Sequence, residues 1–305
     1  MFDEYTADVS YPLDAIHSIT CTSPDPEKLY FFVIQGGGTT TSTLRGQKVN
    51  EFELILQAPS ELEWWDWGLH LSRAFASFDP HGLFYAIFSQ DVPTVQTLFK
   101  SNGTDLAFLH RDRLKNTALI VTAAIGNTRL MMWLLSVLSN PSYLFVRNML
   151  GESPLSVAAA RGHIGCLERM LHCITTSAAK QKDRRRTKSK RHSRTATATA
   201  GSNVQSFQEQ RRRFVEHAMF AAARHNQAPA LESLIMYGDG DAFAINDTGQ
   251  TLAHVALQDQ DGAGVLGLLN ACVPELFELA DDYGNTPLHF AAHRGWIRST
   301  RFLLE

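Results

Sequence analysis

Cysteine is scarce and scattered in this sequence. Its 305 residues hold four, Cys21, Cys166, Cys173 and Cys272, with no CxxC pair. That argues against a zinc ribbon or a disulfide framework and fits a reducing compartment. Long apolar runs are also missing. The longest, TALIVTAAIGNTRLMMWLL, is broken by Gly126, Asn127, Thr128 and Arg129, so no transmembrane segment is expected. The opening MFDEYTADVS is acidic and has no apolar stretch of the kind a secretory leader needs. No Gly-rich phosphate loop, HExxH, GxSxG or kinase motif set occurs. No catalytic residue, cofactor or metal ligand is therefore expected, and the chain reads as a non-enzyme.

Positive charge is sparse outside one stretch. Between Lys180 and Arg213 there are twelve Lys/Arg against Asp183 and Glu209; the rest of the chain carries 16 basic and 29 acidic residues, a net charge of −13. The basic charge of an otherwise acidic protein is thus concentrated in one segment.

What is present begins with three strand-like runs, YPLDAIHSIT (11–20), KLYFFVIQ (28–35) and FELILQA (52–58), the last alternating apolar and polar residues with period two. GGGTTTSTLRGQKVN (36–50) reads as a long hairpin loop. Ser60 and Glu63 form an S-x-x-E capping box. In the helix that follows, Trp64, Trp67, Leu71, Ala74 and Phe75 make one apolar stripe. Three strands and a tryptophan-bearing helix resemble the C-terminal half of a pleckstrin-homology domain, in which a helix tryptophan lies nine positions after a strand alanine, as Trp67 does after Ala58. The resemblance implies that Trp67 is a structural residue plugging a barrel. It does not carry lipid binding over, because the family's basic phosphoinositide site lies in and around two strands that have no counterpart here. Three strands and a helix cannot close a barrel. The expectation is either an N-terminally truncated chain or a half-domain that pairs with something else.

The remainder is organised by a period. DDYGNTPLHFAAHRGWIRSTRFLLE (281–305) resembles the ankyrin consensus. With Thr286 as reference, equivalents occur at Thr251, His217, Ser153, Thr117 and His81. Seventeen and eighteen residues after each lies an aliphatic or aromatic pair: Leu98–Phe99, Leu134–Leu135, Met170–Leu171, Leu234–Ile235, Leu268–Leu269 and Leu303–Leu304. Thr117, Ser153, Thr251 and Thr286 are expected to cap the first helix of their units, with Pro287 at its first turn. Gly126, Gly162 and Gly295 should end it. His254 and His289, at the histidine of TPLH, are expected by the same resemblance to bond locally and hold adjacent loops.

The expected architecture is mostly α: an ankyrin-repeat solenoid preceded by a small α+β segment. Its parts are a partial pleckstrin-homology-like segment (1–76), repeats one to three (77–176), a basic disordered insertion (177–211) and repeats four to six (212–305), the last ending without a capping unit, as though cut. The insertion is poor in apolar residues and is read as a disordered loop. Lys180, Lys182, Arg184, Arg185, Arg186, Lys188, Lys190, Arg191 and Arg194 make nine of fifteen consecutive residues basic. Such a run is a spacer, a nuclear import signal, or a contact for an anionic membrane surface or protein. No aromatic residue is interleaved for base stacking, which disfavours nucleic acid. Thr187, Ser189 and Ser193 are candidate phosphosites for basic-directed kinases.

The ankyrin resemblance implies a non-catalytic scaffold or adaptor that binds protein partners through the array, in the cytoplasm, the nucleus or at a membrane. The alternatives are a peripheral membrane or phosphoinositide-linked signalling module, and the regulatory part of a larger enzyme. Arf GTPase-activating proteins combine pleckstrin-homology, zinc-finger and ankyrin parts, but only five residues separate Phe75 from His81, and the dispersed cysteines cannot supply that finger.

Overall fold

The computed structural model describes residues 16–22, 30–36, 52–58, 61–76, 82–189 and 197–305. Strands β1 (Ile16–Thr22), β2 (Tyr30–Gly36) and β3 (Phe52–Ala58) form an antiparallel sheet in that order, with Cys21 opposite Phe32 and Phe32 opposite Leu56. Helix α1 (Glu61–Ala76) packs against β2 and β3.

Helices α2 (Leu83–Phe88) and α3 (Val92–Asn102) make the first of six antiparallel pairs among the described residues. A short helix, α4 (Thr104–Leu109), precedes the second pair, α5 (Ala118–Ile125) and α6 (Thr128–Val137). Then come α7 (Pro154–Ala160) with α8 (Ile164–Ser189), and α9 (Thr197–Arg224) with α10 (Ala228–Gly238). The last two pairs are α11 (Leu252–Ala256) with α12 (Ala263–Cys272), and α13 (Pro287–Arg294) with α14 (Ile297–Leu304). First helices pack on first helices, α2 on α5, α5 on α7, α7 on α9, α9 on α11; second helices form the other layer, α6 on α8, α8 on α10, α10 on α12.

Small side chains set the first layer's spacing. Ala158, Ala159, Ala222 and Ala223 are all wholly buried, so neighbouring helices approach closely. The second layer supplies bulk through Phe99, Leu134, Met170, Leu171, Leu234 and Leu269, each from one of the spaced pairs and each buried. The core is one continuous cluster along the stack, which makes each pair depend on its neighbours.

Local chemistry starts and stops these helices. Thr117 and Ser153 cap α5 and α7 by accepting from the N–H groups of Ile120 and Ser156. At Thr251 and Thr286 the side chain three residues on does part of the work: His254 Nδ1 and His289 Nδ1 accept from the capping residue's own N–H at 3.2 and 3.1 Å. Gly126 and Gly295 end α5 and α13 in the left-handed region, where an L side chain is strained.

Among the described residues, the turns before α5, α7, α11 and α13 are each built on one Asx residue. Asn148, Asn246 and Asp281 accept from backbone N–H groups two and four residues on, at 2.8–3.1 Å. Gly151, Gly249 and Gly284 then take positive φ. In the turn at Asp112 that position is Lys115, with φ +60, where a Cβ costs about 1–2 kcal/mol. Replacing Lys115 with Gly is expected to raise stability by about 0.5–1 kcal/mol, since the new residue's greater unfolded freedom offsets part of the relief. A urea midpoint that stays level or falls would count against it.

His217, which the period aligns with Thr117, lies inside α9, because the helix begins twenty residues earlier at Thr197. Within 177–211, read from the sequence as a disordered loop, α8 runs to Ser189 and α9 starts at Thr197. Low apolar content forbids packing but not helix. Both halves extend helices already nucleated in the core, where each further residue costs little, and Ala, Gln, Lys and Arg are good helix formers.

Candidate interaction surface

Two faces of the array differ in what covers them. The first lies between the first-layer helices of the first three pairs and the Asx turns before α5 and α7, and α1 is laid along it. Asp66 pairs with Arg161, at the end of α7, at 2.8 Å. Gly68 and Leu69 sit over Ile120, Val121, Ala124 and Val157, leaving a crevice of about 20 Å³. Ser72 donates to the Asp112 carboxylate. The Arg113 guanidinium lies 4.7 Å from the Phe75 ring centre. Burial pushes the Asp112 pKa up, against hydrogen bonds from Ser72 and Asn116 that favour the carboxylate. Trp67 is half-buried on α1.

The Asx turns are stitched side to side. Asn148 Nδ2 donates to Asn116 Oδ1 at 2.8 Å and to Glu152 at 3.0 Å, and Asp112 accepts from Asn116. Further along, the N–H of Asp282 donates to Thr248 O at 3.3 Å. His254, wholly buried, ties one repeat to the next: Nδ1 accepts at its own helix start and Nε2 meets Asn285 O at 2.9 Å. Such bonding requires the neutral ring protonated on Nε2. His289 makes only the first of these contacts, to Thr286.

Between the third and fifth turns, α9 stands where the fourth would be. Phe214 packs on Phe145 of the third turn at 4.9 Å, and Arg147 lies 5.0 Å over the Phe214 ring. On its other side, Arg211 and Arg212 reach Asp239 and Asp241 of the fifth turn at 2.8 and 2.7 Å. A helix therefore bridges the row that turns form elsewhere.

The second face is the pair of turns preceding α11 and α13. Phe243, Ile245, Leu279 and Tyr283 are exposed there, Ile245 at 63% and Tyr283 at 78%, so large apolar groups stand on the surface of adjoining turns, the kind of patch that marks an interaction site. Its field is acidic: from His225 to His293 there are ten Asp/Glu and no Lys or Arg. Sequence reasoning passed over this patch because no single turn looks unusual; the charge count over that span was the available signal.

Lys180, Lys182, Arg184, Arg185, Arg186, Thr187, Lys188 and Ser189 fall on the backbone of α8. Lys190, Arg191, Ser193 and Arg194 lie outside the described residues. Among the described residues no group of His, Cys, Asp and Glu converges as a metal site, and no helix is long and apolar enough to cross a membrane.

Residues 283–305 match the family model of the ankyrin repeat. The chain is also similar to the crystal structure of EF0377, an ankyrin repeat protein, with TM-score 0.50 and 16% identity over 73% of this chain and 96% of that one. The array has the ankyrin-repeat fold. A crystallised ankyrin repeat domain from Acinetobacter baumannii AYE gives TM-score 0.48 and 19% identity, over 73% of this chain and 95% of that one. No curated protein sequence matches. Ankyrin repeats generally serve protein–protein interaction and are typically non-catalytic. The helix pairs thus share the fold of ankyrin repeats and are numbered repeats one to six, with the Asx turns as their fingers.

Proposed function

We propose that this chain is a non-catalytic scaffold that binds protein partners through its ankyrin fingers, chiefly those of repeats five and six. The supporting observation is the exposed set Phe243, Ile245, Leu279 and Tyr283 within a span of 69 residues that carries no Lys or Arg. Apolar side chains supply contact area, and the acidic surroundings select and steer a basic partner. Finger tips can vary without loss of fold because the helices hold the stack. The α+β segment at the N-terminus, on this reading, is a pleckstrin-homology-like half whose helix serves the array instead of closing a barrel.

The test is capture from nuclease-treated lysate at moderate salt, comparing three full-length chains: unaltered, Ile245→Asp with Tyr283→Ser, and Arg184, Arg185 and Arg186 all changed to Gln. Specific partners should survive the arginine changes and fall at least tenfold with the finger-tip changes, since two central anchors are worth about 2 kcal/mol or more. Loss of all bound protein with the arginine changes alone would instead assign binding to the basic segment.

A further inference from the structure

We propose that the outer end of α8 is a basic arm that seats on the acidic finger patch of repeats five and six in a second copy of this chain, two copies exchanging arms as a dimer. This rests on reading that patch as a seat for a basic partner, and adds which partner takes it.

Topology puts both surfaces on one edge of the array. Gly238, at the end of α10 just before the fifth turn, lies against Leu171 of α8 and Val215 of α9. α8 therefore nears the finger row at about Leu171, and among the described residues Ile174 is its last in the core. The helix nevertheless continues to Ser189. At 1.5 Å per residue, positions 177–189 carry it about 20 Å further. That stretch of sequence sets Lys180, Lys182, Arg184, Arg185, Arg186 and Lys188 against Asp183 alone.

The seat complements the arm. The turns before α11 and α13 adjoin through the Asp282 N–H on Thr248 O, and exposed Asp247, Glu275, Glu278 and Asp282 stand on the same stretches as the apolar tips. The arm gains from such a neighbour. Lys180 and Arg184, Lys182 and Arg186, and Arg184 and Lys188 are like charges four residues apart, and each such pair weakens a lone helix. Carboxylates brought alongside relieve that repulsion.

The two surfaces of one chain do not meet. No Pro or Gly occurs from Cys166 to Ser189, so α8 has no kink point at which the arm would fold back over repeats four to six. The tips stay open in the single chain, Tyr283 at 78%. Each copy has one arm and one patch, so a twofold axis fills both seats at once.

The experiment is sedimentation velocity on the full-length chain. A concentration-dependent dimer is expected, with a dissociation constant at least tenfold higher at moderate than at low salt, because exposed charges are screened. An arm variant (Lys180, Lys182, Arg184, Arg185, Arg186 and Lys188 all to Glu) should be monomeric, as should a patch variant (Asp247, Glu275, Glu278 and Asp282 all to Lys). Mixed together, the two should form a heterodimer, since each arm then meets a patch of opposite charge; this also shows that both variants fold. A labelled peptide of residues 180–194 should bind the arm variant at least tenfold more tightly than the patch variant. A dimer that both variants retain, or a mixture that stays monomeric, overturns the proposal. If the unaltered chain is monomeric at every concentration while the peptide still binds the patch, self-association fails and the finger patch stands as a seat for another basic partner. If the peptide does not bind either, both readings fail.

Discussion

Lowering the pH from 7 to 5 is expected to destabilise the array by several kcal/mol, before most carboxylates titrate. The cause is a set of histidines held neutral. His217 and His225, on the inner part of α9, have pKa values pushed from 6.5 down to about 4. Burial is the main cause for both, reinforced by positive neighbours: Arg147 and Arg224 for His217, Arg224 and Arg161 for His225. His163 and His254 are shifted the same way by burial. Below pH 6.5 the unfolded chain takes up these protons while the folded chain does not, so stability falls as pH falls, and the contribution is fully present only above 6.5. Each of the two strongly shifted rings accounts for about 2 kcal/mol at pH 5. Urea midpoints at pH 7.5, 6 and 5 measure the slope, and His217→Gln with His225→Gln should flatten it. A midpoint level between pH 7.5 and 5 in the unaltered chain would show that these rings are solvated.

Asn148→Ala is expected to cost about 2–4 kcal/mol, far more than its small volume suggests. The side chain is 8% exposed and makes four hydrogen bonds: it accepts from the N–H groups of Leu150 and Glu152 and donates to Asn116 and Glu152. Alanine fills none of these roles, so two turn amides lose an acceptor and the Asn116 carbonyl loses its donor, each buried group costing about 1 kcal/mol or more. The bond donated to Asn116 also joins the second finger to the third. Its loss weakens the coupling between repeats, and a one-dimensional stack with one weak link unfolds less cooperatively. The urea transition should therefore shift and broaden, with a lower m value. A shift below about 0.5 kcal/mol, or an unchanged m value, would mean that the neighbouring repeats hold the finger without it.

Much of the repeat architecture was legible because it is written in local chemistry at fixed spacing. Thr117, Ser153, Thr251 and Thr286 stand at helix starts, and Gly126 and Gly295 at helix ends, because capping and positive φ depend on a few adjoining residues. At least one member of each spaced pair up to Leu268–Leu269 reaches the core, since the pair sits at the same turn of every second helix. Where local rules conflicted with context, context won. The charged run after Thr176 looked unable to hold structure, yet it continues the helix of repeat three to Ser189.

By itself, then, the sequence determined the period of the helix pairs found among the described residues, where the first helix starts in four of them, and which turn of each second helix up to α12 reaches the core. Those properties arise within a turn or two of chain, or repeat with the period. Only the tertiary structure decided that α1 lies along the groove, with Asp66 and Arg161 meeting across 95 positions, that a helix replaces the fourth finger, and that His217 and His225 are half-buried beside arginines. Each of these depends on pairs of surfaces brought together by the rigid stack, and no spacing in the chain encodes which faces will meet.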